Sequence, residues 1–364
     1  MLVKDKMGYA IKLVVSDLHL GTGRFTSEGI RNPYEDFFFD ESFDEFLSYY
    51  TTGKYSNYDV ELIINGDFLN LLQADILKDG VTITEFDCTV MLQRIVKGHP
   101  VFFDALKRFM FSLNHHISIL VGNHDQGLLF NRVELLLKSF ISPRIEVYHR
   151  SMSFDGIYIE HGNNYDILNS FSPMDAIIKS YEAGDTILNI PWGSYFVLTF
   201  IYPRKKRMPY LDRIKPLRSY IRWGLLFDTR KTLLTLLQMV WFYLKNRFHP
   251  DPQRRKKFHI TLEHVTESLK LGSIVEIARS ILKHTRYRVV IFGHTHRAMH
   301  IEFHGKQYFN TGTWTDIVDM GIENPGRHSK LTYVLIDYEV SPPRVSLREW
   351  HGHYRIENEI RGWA

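Results

Sequence analysis

The sequence predicts a layered α/β domain that carries an inserted helical subdomain, and three observations lead to this fold class. Five short runs of mostly β-branched, apolar residues indicate strands that are buried on both faces. Helical patterns such as "FDEFLSYYTTG" and "PVFFDALKRFMFSL" lie between the first three runs, and strand–helix alternation is typical of a layered α/β domain. Between residues 166 and 287 this alternation gives way to long helix-like stretches, which indicates an insertion.

The predicted strands all end in polar loops that contain a glycine. In chain order they are "IKLVVSDLHLG" from Ile11, "VELIINGDFLN" from Val60, "ISILVGNHD" from Ile117, "GIYIEHGN" from Gly156 and "RVVIFGHTH" from Arg288. Two later runs, "KQYFNTGTW" and "LTYVLIDYEV", have the pattern of hairpin strands. We therefore expect one layered α/β domain, formed by residues 1–165 and 288–364, and a mostly helical insertion of residues 166–287. The last part of the insertion is expected to include a helix of the core.

Composition places the chain among globular proteins without disulfide bonds. The apolar fraction of 44% allows a sizeable core, and the single cysteine, Cys88, excludes a disulfide framework and a thiolate metal cage. No signal peptide is visible, and the longest apolar stretch, "TLLTLLQMVWFYL", falls short of the roughly 20 residues that span a bilayer. We therefore expect a cytoplasmic protein, either soluble or peripheral on the inner membrane face.

The insertion is unusually basic and aromatic. Between Arg204 and Lys257, 16 lysines and arginines stand against three acids, a balance of +13 in a chain whose net charge is +4. The rest of the chain therefore carries a net charge of −9. The aromatic residues of the insertion include Trp192, Tyr195, Phe196, Tyr202, Trp223, Trp241, Phe242 and Tyr243. Cations and aromatic rings together suit a surface that meets anionic headgroups and acyl chains, and a solvated basic face on an ordinary helical insertion is the equal alternative.

Side chains that commonly bind metals follow each of the five predicted strands. They are Asp17, His19, Asp67, Asn123, His124, His161, His294 and His296. In open α/β sheets, ligands bind at the carboxyl ends of the strands. Imidazole, carboxylate and amide oxygen together suit divalent cations such as Mn, Fe or Zn. An Asp-x-His or His-x-His pair in a strand also places both side chains on one face, because alternate residues point the same way.

Each of these loops alone is a weak signal. A single His-x-His pair is more often incidental, and "GNHD" alone is compatible with an ordinary turn. Five such loops, each after a predicted strand, favour a common metal site. Glycines beside the polar residues (Gly66, Gly122, Gly162 and Gly293) let the backbone turn sharply there.

The order D-x-H, G-D, G-N-H-D, H and G-H-x-H resembles the calcineurin-like metallophosphoesterase superfamily, over roughly residues 10 to 165 and 288 to 320. The resemblance implies a four-layer sandwich, with two mixed β-sheets flanked by helices, and two divalent metal ions, Mn or alternatively Fe or Zn. It implies that Asp17, His19 and His296 bind one ion. It further implies that Asn123, His161 and His294 bind the other, and that Asp67 bridges the two. His124 matches the catalytic histidine, and Asp125 matches the carboxylate that orients it.

The resemblance also implies a reaction. Two cations about 4 Å apart acidify a shared water molecule, and the resulting metal-bridging hydroxide attacks phosphorus in line with the leaving oxygen. His124 near the leaving group stabilises charge or donates a proton, and Asp125 fixes its tautomer. Arg24 and Arg297 are candidates for holding a substrate phosphate.

Within the superfamily, "SDLHL", "GDF" and a helical insertion resemble the UDP-2,3-diacylglucosamine hydrolases, which cleave the pyrophosphate of an acylated sugar nucleotide. The 133 residues from His161 to His294 are enough for their helical lid. This resemblance implies a lipid-linked substrate and contact with an anionic membrane surface. We consider two alternatives: a nuclease or phosphodiesterase that uses the basic segment to bind nucleic acid, and a non-catalytic scaffold like the retromer subunit of this fold. We favour the lipid-linked substrate, because apolar clusters separate the basic residues and the ligand set is intact.

Overall fold

The computed structural model describes residues 9–72, 82–180, 185–205, 214–215, 217–249, 271–319, 326–352 and 358–359. Parts of the basic segment, residues 206–213 and 250–257, lie outside the described residues. Two sheets dominate the fold, and both are mixed. Among the described residues, no helix combines the length and the apolar character needed to cross a membrane.

The larger sheet has seven strands. They are β1 (Ala10–Val15), β2 (Asp59–Asn65), β3 (His115–Leu120), β4 (Glu146–Tyr148), β15 (Leu331–Asp337), β16 (Arg344–Trp350) and β17 (Asn358–Glu359). Their order is β17-β16-β15-β1-β2-β3-β4. The strands from β1 to β4 run parallel to one another, whereas β15 joins β1 antiparallel and begins the antiparallel half.

The smaller sheet has five strands. They are β5 (Ser151–Phe154), β6 (Ile157–Glu160), β10 (Val289–Phe292), β11 (Met299–Phe303) and β12 (Lys306–Asn310). Their order is β11-β12-β10-β6-β5, with the three inner strands parallel. Two small sheets complete the set: β7 (Ile177–Lys179) with β8 (Thr186–Leu188), and β9 (Ile214–Lys215) with β13 (Ile317–Asp319) and β14 (Gly326–His328).

Nine α-helices are described. They are α1 (Asp40–Tyr49), α2 (Glu85–Gly98), α3 (Pro100–Phe109), α4 (Asn131–Phe140), α5 (Trp192–Phe196), α6 (Tyr202–Lys205), α7 (Leu217–Phe227), α8 (Thr229–Arg247) and α9 (Leu271–His284). A π-helical turn, Val197–Ile201, joins α5 to α6. The local sequence explains where two of these helices begin. Thr84 and Asp87 form a capping box at the start of α2, and Pro100 is the first residue of α3.

The layers follow from the alternation of side chains along the strands. In β1, Ile11, Leu13 and Val15 pack on the core beneath α1 to α4, whereas Val14 faces the core between the two sheets. In β10, Val289 and Ile291 face that same central core. The intervening residues of β10, Val290 and Phe292, pack against α9 instead. The chain therefore forms helix, sheet, sheet and helix layers, which confirms the predicted α/β sandwich.

Helix α9 shows where the end of the predicted insertion lies. Ile274, Ala278 and Leu282 are buried against the smaller sheet, so this helix forms the fourth layer. The five strands predicted to precede polar loops are β1, β2, β3, β6 and β10. The two predicted hairpin strands are β12 and β15, which pair with their neighbours β11 and β16 respectively.

Candidate active site

The structure brings the first predicted group of ligands together at the ends of β1 and β10. The Nε2 atom of His296 lies 3.2 Å from Oδ1 of Asp17 and 3.1 Å from Nε2 of His19. One ligand atom from each of these three residues falls within 4.8 Å of the others. Two strands from different sheets therefore supply one cluster of candidate metal ligands.

The second group lies beside the first and is connected to it by Asp67. Oδ2 of Asp67 is 3.2 Å from Nε2 of His161 and 3.7 Å from Nε2 of His19. Asp67, His161 and His294 again place one ligand atom each within 4.8 Å of one another. Because Asp67 approaches histidines of both groups, its carboxylate has the position that a bridging ligand requires.

The paired side chains are oriented by a left-handed backbone conformation and not by the alternation of side chains along a strand. Asp17, His19, Asp67, His294 and His296 have φ angles of 52°, 49°, 49°, 65° and 59°. All five residues follow the last residue of their strands, so the expected explanation from strand alternation is wrong. Positive φ is uncommon for residues other than glycine and concentrates at functional sites. Backbone hydrogen bonds from the β1 loop to the β2 loop stabilise this conformation, from Asp17 to Gly66 at 3.1 Å and from His19 to Asp67 at 2.9 Å.

Two of the predicted glycines are required because ligand side chains lie too close to leave space for a Cβ atom. A Cβ atom on Gly122 would lie 2.3 Å from Oδ1 of Asp67, and a Cβ atom on Gly66 would lie 2.4 Å from the ring of His161. Real Cβ atoms do not come so close to other heavy atoms. Glycine at these positions therefore leaves space for the ligands themselves, and at Gly66 it also permits a φ of 81°.

Several buried ligand atoms face only other candidate ligands and make no hydrogen bond, which tests whether the residues fit metal ions. Among the described residues, Oδ1 of Asp17, Oδ1 of Asn123 and Nε2 of His161 have no hydrogen-bond partner. The Nδ1 atom of His161 lies 2.8 Å from the carbonyl oxygen of Asn65, so Nδ1 carries a hydrogen and Nε2 is the nitrogen available to a metal ion. Buried polar atoms normally have partners, and cations would supply them here. The residues fit the two metal ions.

Electrostatics keep most of these groups in the protonation state that binds metal. Burial opposes ionisation of Asp17, but the nearby imidazoles of His296 and His161 outweigh it and lower the pKa to about 2. The pKa of Asp67 is likewise held well below its usual value, because His161 and His124 outweigh the effect of burial. Burial, together with the neighbouring His124, lowers the pKa of His19 to about 3. Two carboxylates and a neutral imidazole are therefore ready to coordinate.

His161 has the opposite shift, which indicates that the site attracts positive charge. Burial lowers the pKa of this imidazole, but the carboxylates of Asp67 and Asp17 outweigh burial and raise it to about 10. A metal ion competes with a proton for the same lone pair and the same negative field. The two carboxylates therefore create a buried potential that stabilises a cation between His161 and Asp67.

His124 lies at the edge of both groups and is oriented by an asparagine. Its ring packs edge-on against His19 with 4.6 Å between centroids, and its backbone N–H donates to Oδ1 of Asp67 at 2.9 Å. Its Nδ1 atom lies 3.4 Å from Oδ1 of Asn70. Burial lowers the pKa of His124 and favours the neutral ring.

Asp125 has a different role from the expected one. Its buried carboxylate accepts backbone N–H groups from Leu69 at 2.6 Å, Gly122 at 3.1 Å and Phe68 at 3.2 Å. These bonds join the β2 loop to the β3 loop, so Asp125 holds the loops that carry Asp67 and Asn123. We expected it to orient His124, but the side chain beside Nδ1 of His124 is Asn70.

The two predicted phosphate-binding arginines differ in their surroundings. The guanidinium of Arg24 donates to the carbonyl of Phe38 and to the carboxylate of Glu41, both at 2.8 Å, and is also 3.6 Å from Asp40. These contacts hold the guanidinium of Arg24 against the start of α1. Arg297 follows His296 directly and is half-buried. Arg297 therefore remains the better candidate for a phosphate contact.

The sequence interpretation missed two residues at the site. Asn70 lies beside His124, and Oδ2 of Asp166 lies 3.0 Å from Nε2 of His294. A carboxylate on a ligand histidine orients its ring and raises its basicity. Both residues were detectable, because each is a polar residue three to five positions beyond a predicted ligand in the same loop.

The sandwich and the paired ligand groups at its strand ends define a metal-dependent phosphoester hydrolase. The chain belongs to the calcineurin-like phosphoesterase family, whose sequence profile matches residues 13–298. No curated protein sequence matches the chain.

Solved structures of several kinds match the chain at low identity and with low TM-scores. A dimetal phosphatase from Danio rerio is 10% identical with a TM-score of 0.37, and the alignment covers 96% of this chain and 98% of that one. A predicted phosphoesterase from Streptococcus pneumoniae TIGR4 is 10% identical with a TM-score of 0.31, covering 98% and 99%. Vacuolar Protein Sorting 29 from Cryptosporidium parvum is 13% identical with a TM-score of 0.33, covering 97% and 96%. The family assignment depends on the sequence profile alone.

Proposed function

We propose that this protein hydrolyses a phosphodiester or pyrophosphate bond in a lipid-linked substrate of the acylated sugar nucleotide type. The observation that carries the hydrolytic part is the pair of ligand groups that share Asp67 at the strand ends. The lipid-linked part is supported by a basic and apolar surface on the helical insertion. A cytoplasmic protein that is peripheral on the inner membrane face would meet such a substrate.

Each metal site has a defined set of side chains in this proposal. Asp17, His19 and His296 would hold one divalent ion, and Asn123, His161 and His294 would hold the other, with Asp67 between them. Manganese, iron and zinc all accept this mixture of imidazole, carboxylate and amide oxygen. When bound, the ions would supply Lewis acidity toward the phosphate oxygens and lower the pKa of a water molecule.

The remaining side chains of the site position the groups and transfer protons. His124 packs against the ligand His19, and the form of its ring that is protonated on both nitrogens would stabilise the leaving oxygen or donate a proton to it, a contribution of roughly 100- to 10,000-fold. Asp125 would keep the two loops in register through its three backbone contacts. Asp166 would orient His294. Arg297 would contact a non-reacting phosphate oxygen.

An exposed apolar stripe runs along α8. It consists of Leu233, Leu237, Val240, Trp241, Leu244 and Phe248, at the three- and four-residue spacing of one helix face. The preceding helix adds the exposed residues Trp223, Leu226 and Phe227. We call this set the α7–α8 surface. Trp241 is 69% exposed and Phe227 is 76% exposed, which is unusual for clustered large apolar residues on a protein surface.

Basic residues accompany the apolar stripe. Arg222, Arg230, Lys231, Lys245 and Arg247 lie on the same two helices, and the one acid in residues 217–248 is Asp228, which lies between the helices. Apolar side chains that insert at an acyl boundary, beside cations that attract anionic headgroups, are the features of an interfacial helix. The α7–α8 surface therefore supports contact with an anionic lipid surface, where an acylated substrate would be held.

The substrate is tested with purified protein loaded with manganese. We would assay UDP-diacylglucosamine in detergent micelles and short single-stranded DNA in parallel, with products identified by mass. Release of UMP together with an acyl-sugar phosphate is the expected result. Shortened DNA with an intact sugar nucleotide would replace the lipid substrate by the nuclease alternative, in which the basic residues bind phosphates. No hydrolysis of either, nor of bis(p-nitrophenyl) phosphate, would contradict the hydrolytic assignment.

Membrane contact is tested with one pair of variants. Leu237→Glu combined with Trp241→Glu places two charges on the stripe, whereas Phe111→Glu alters an apolar residue of similar exposure that lies after α3. We expect vesicles containing phosphatidylglycerol to bind the wild type and Phe111→Glu, and to bind the double variant at least about tenfold more weakly. Equal binding by all three proteins would refute a role for the α7–α8 surface.

A further inference from the structure

One tyrosine of the insertion reaches the catalytic histidine through a single intermediate residue. The side-chain amide of Asn70 donates from Nδ2 to the Tyr202 hydroxyl at 2.8 Å. The Oδ1 atom at the other end of the same amide lies 3.4 Å from Nδ1 of His124. Asn70 and Tyr202 are each 1% exposed, so water does not compete for the contact between them. The three side chains form a path from α6 to the β3 loop that ends at the partly exposed His124.

The chemistry of the amide gives this path a direction. An asparagine side chain has donors at one end and an acceptor at the other. Because the NH2 group points to Tyr202, the carbonyl oxygen points to His124 and can only accept a hydrogen. His124 must therefore carry a hydrogen on Nδ1, which leaves Nε2 as the nitrogen for the proton that goes to the leaving group, and the plane of the ring depends on how Asn70 is held.

Tyr202 is itself held in place by an ion pair between the insertion and the catalytic domain. Lys205, one turn further along α6, is completely buried and lies 3.2 Å from Oδ1 of Asp36. Its Nζ atom lies 5.4 Å from the centre of the Tyr202 ring, and the ring of Tyr34 also lies 5.4 Å from that ring. A buried charge is stable only with its partner, so Lys205 anchors α6 where Tyr202 meets Asn70.

We propose that Tyr202 is a positioning residue for the hydrolytic reaction, which acts through Asn70 to fix the orientation and tautomer of His124. The insertion then takes part in turnover and does not serve only to bind substrate. This inference depends on the proposed function, in which His124 acts on the leaving group.

The test uses the full-length, manganese-loaded protein with bis(p-nitrophenyl) phosphate, a substrate that has no acyl chain and no need for the α7–α8 surface. Tyr202→Phe removes the hydroxyl and keeps the ring. The matched control is Tyr195→Phe, which removes another buried hydroxyl of the insertion, one that donates to Asn246 at 3.2 Å. We expect Tyr202→Phe to lower kcat about tenfold with KM within about twofold, and Tyr195→Phe to leave both near wild type.

A double-variant comparison separates positioning from general loss of structure. If Tyr202 acts through His124, Tyr202→Phe should have no further effect on kcat once His124→Ala is present. Asn70→Ala should reproduce the loss of kcat and should not add to Tyr202→Phe. In a spectrum of ¹⁵N-labelled histidines, the Nδ1–H signal of His124 should shift or broaden in Tyr202→Phe and remain in Tyr195→Phe.

Three results would overturn the inference: equal kcat values for Tyr202→Phe and Tyr195→Phe, an undiminished effect of Tyr202→Phe in the His124→Ala background, or an unchanged Nδ1–H signal. Failure of the proposed function has a different signature, because His124→Ala would then hydrolyse the diester as fast as wild type.

Discussion

The Nε2 atoms of His19 and His296 lie 3.1 Å apart, although 277 residues separate the two histidines in the chain. His19 follows a strand of the larger sheet and His296 follows a strand of the smaller one. Two imidazole nitrogens that face each other at this distance are brought together by the packing of both sheets. The candidate metal centre therefore lies where the carboxyl ends of the two sheets meet.

Asp67 should be essential for binding metal at both sites. In Asp67→Asn the amide replaces a carboxylate that approaches His19 and His161, so negative charge is lost from both groups. We expect the metal content to fall from two ions per chain and hydrolysis of bis(p-nitrophenyl) phosphate to fall on the order of 1,000-fold or more. Elemental analysis and steady-state kinetics measure the two effects. Asp104→Asn, on the exposed face of α3, is the control, and two retained ions in Asp67→Asn would contradict the bridging role.

Gly122 should not tolerate even one added methyl group. Gly122→Ala would place Cβ 2.3 Å from Oδ1 of Asp67, so the carboxylate must move and metal affinity should fall roughly 10- to 100-fold. Gly53→Ala is the control, because Gly53 has positive φ but no neighbour within 4 Å. The control should lose about 1 kcal/mol of unfolding free energy and keep its metal affinity. Calorimetric titration with manganese distinguishes the two glycines, and equal affinities would mean that Asp67 does not need this space.

Asp166 should set the affinity of the metal site that contains His294. Asp166→Ala removes the carboxylate 3.0 Å from Nε2 of His294, and the ring loses the contact that orients it. We expect one of the two manganese ions to bind roughly 10- to 100-fold more weakly, while the other is unaffected. A two-site titration followed by electron paramagnetic resonance resolves the two ions. Asp175→Ala, an exposed carboxylate nearby, should match wild type; equal weakening of both ions in Asp166→Ala would place its effect elsewhere.

His99 should make the stability of the fold depend on pH. It is completely buried, and although burial disfavours the charged ring, hydrogen bonds to Asp40 at 2.8 Å and Glu35 at 3.2 Å raise its pKa to about 9. A raised pKa stabilises the folded state at low pH. This stabilisation, about 3 kcal/mol in order of magnitude, is complete below the unfolded pKa near 6.5 and is lost as pH rises through 9.

The pH effect is measured by urea unfolding of the wild type and His99→Gln at pH 6, 7.5 and 9. We expect the free-energy difference between the two proteins to shrink steadily over this range. His116→Gln, an exposed histidine on β3, is the control and should follow wild type. A difference that stays constant from pH 6 to pH 9 would mean that His99 is not charged in the folded protein.

The identities of the candidate ligands were predictable from the sequence, whereas the backbone conformation that orients their side chains was not. The order of polar residues after five apolar runs was sufficient to predict the fold class and the grouping of ligand candidates, because runs buried on both faces must be inner strands. It did not predict that Asp17, His19, Asp67, His294 and His296 adopt positive φ. For Asp17 and His19, that conformation is accompanied by backbone hydrogen bonds to the β2 loop, which is far away in the sequence.

For the same reason, the sequence did not show which side chain lies beside His124. Asp125 is its neighbour in the chain, yet its carboxylate turns toward backbone N–H groups of the β2 loop. Asn70 is 54 residues away and takes the place beside the ring. A buried carboxylate satisfies the donors that the fold brings to it, and only the packing of the loops shows which donors those are.

By itself the sequence determined the layered α/β class, the family and the residue types of the metal centre, because hydrophobic patterning and local motifs are properties of short stretches of chain. Tertiary structure alone decided which side chains meet across those stretches. It brought His19 against His296, Asp166 against His294, and Tyr202 of the insertion against Asn70. Each of these contacts joins segments that are far apart in the chain. The relative position of the two side chains there depends on how the layers pack and not on the sequence of either segment.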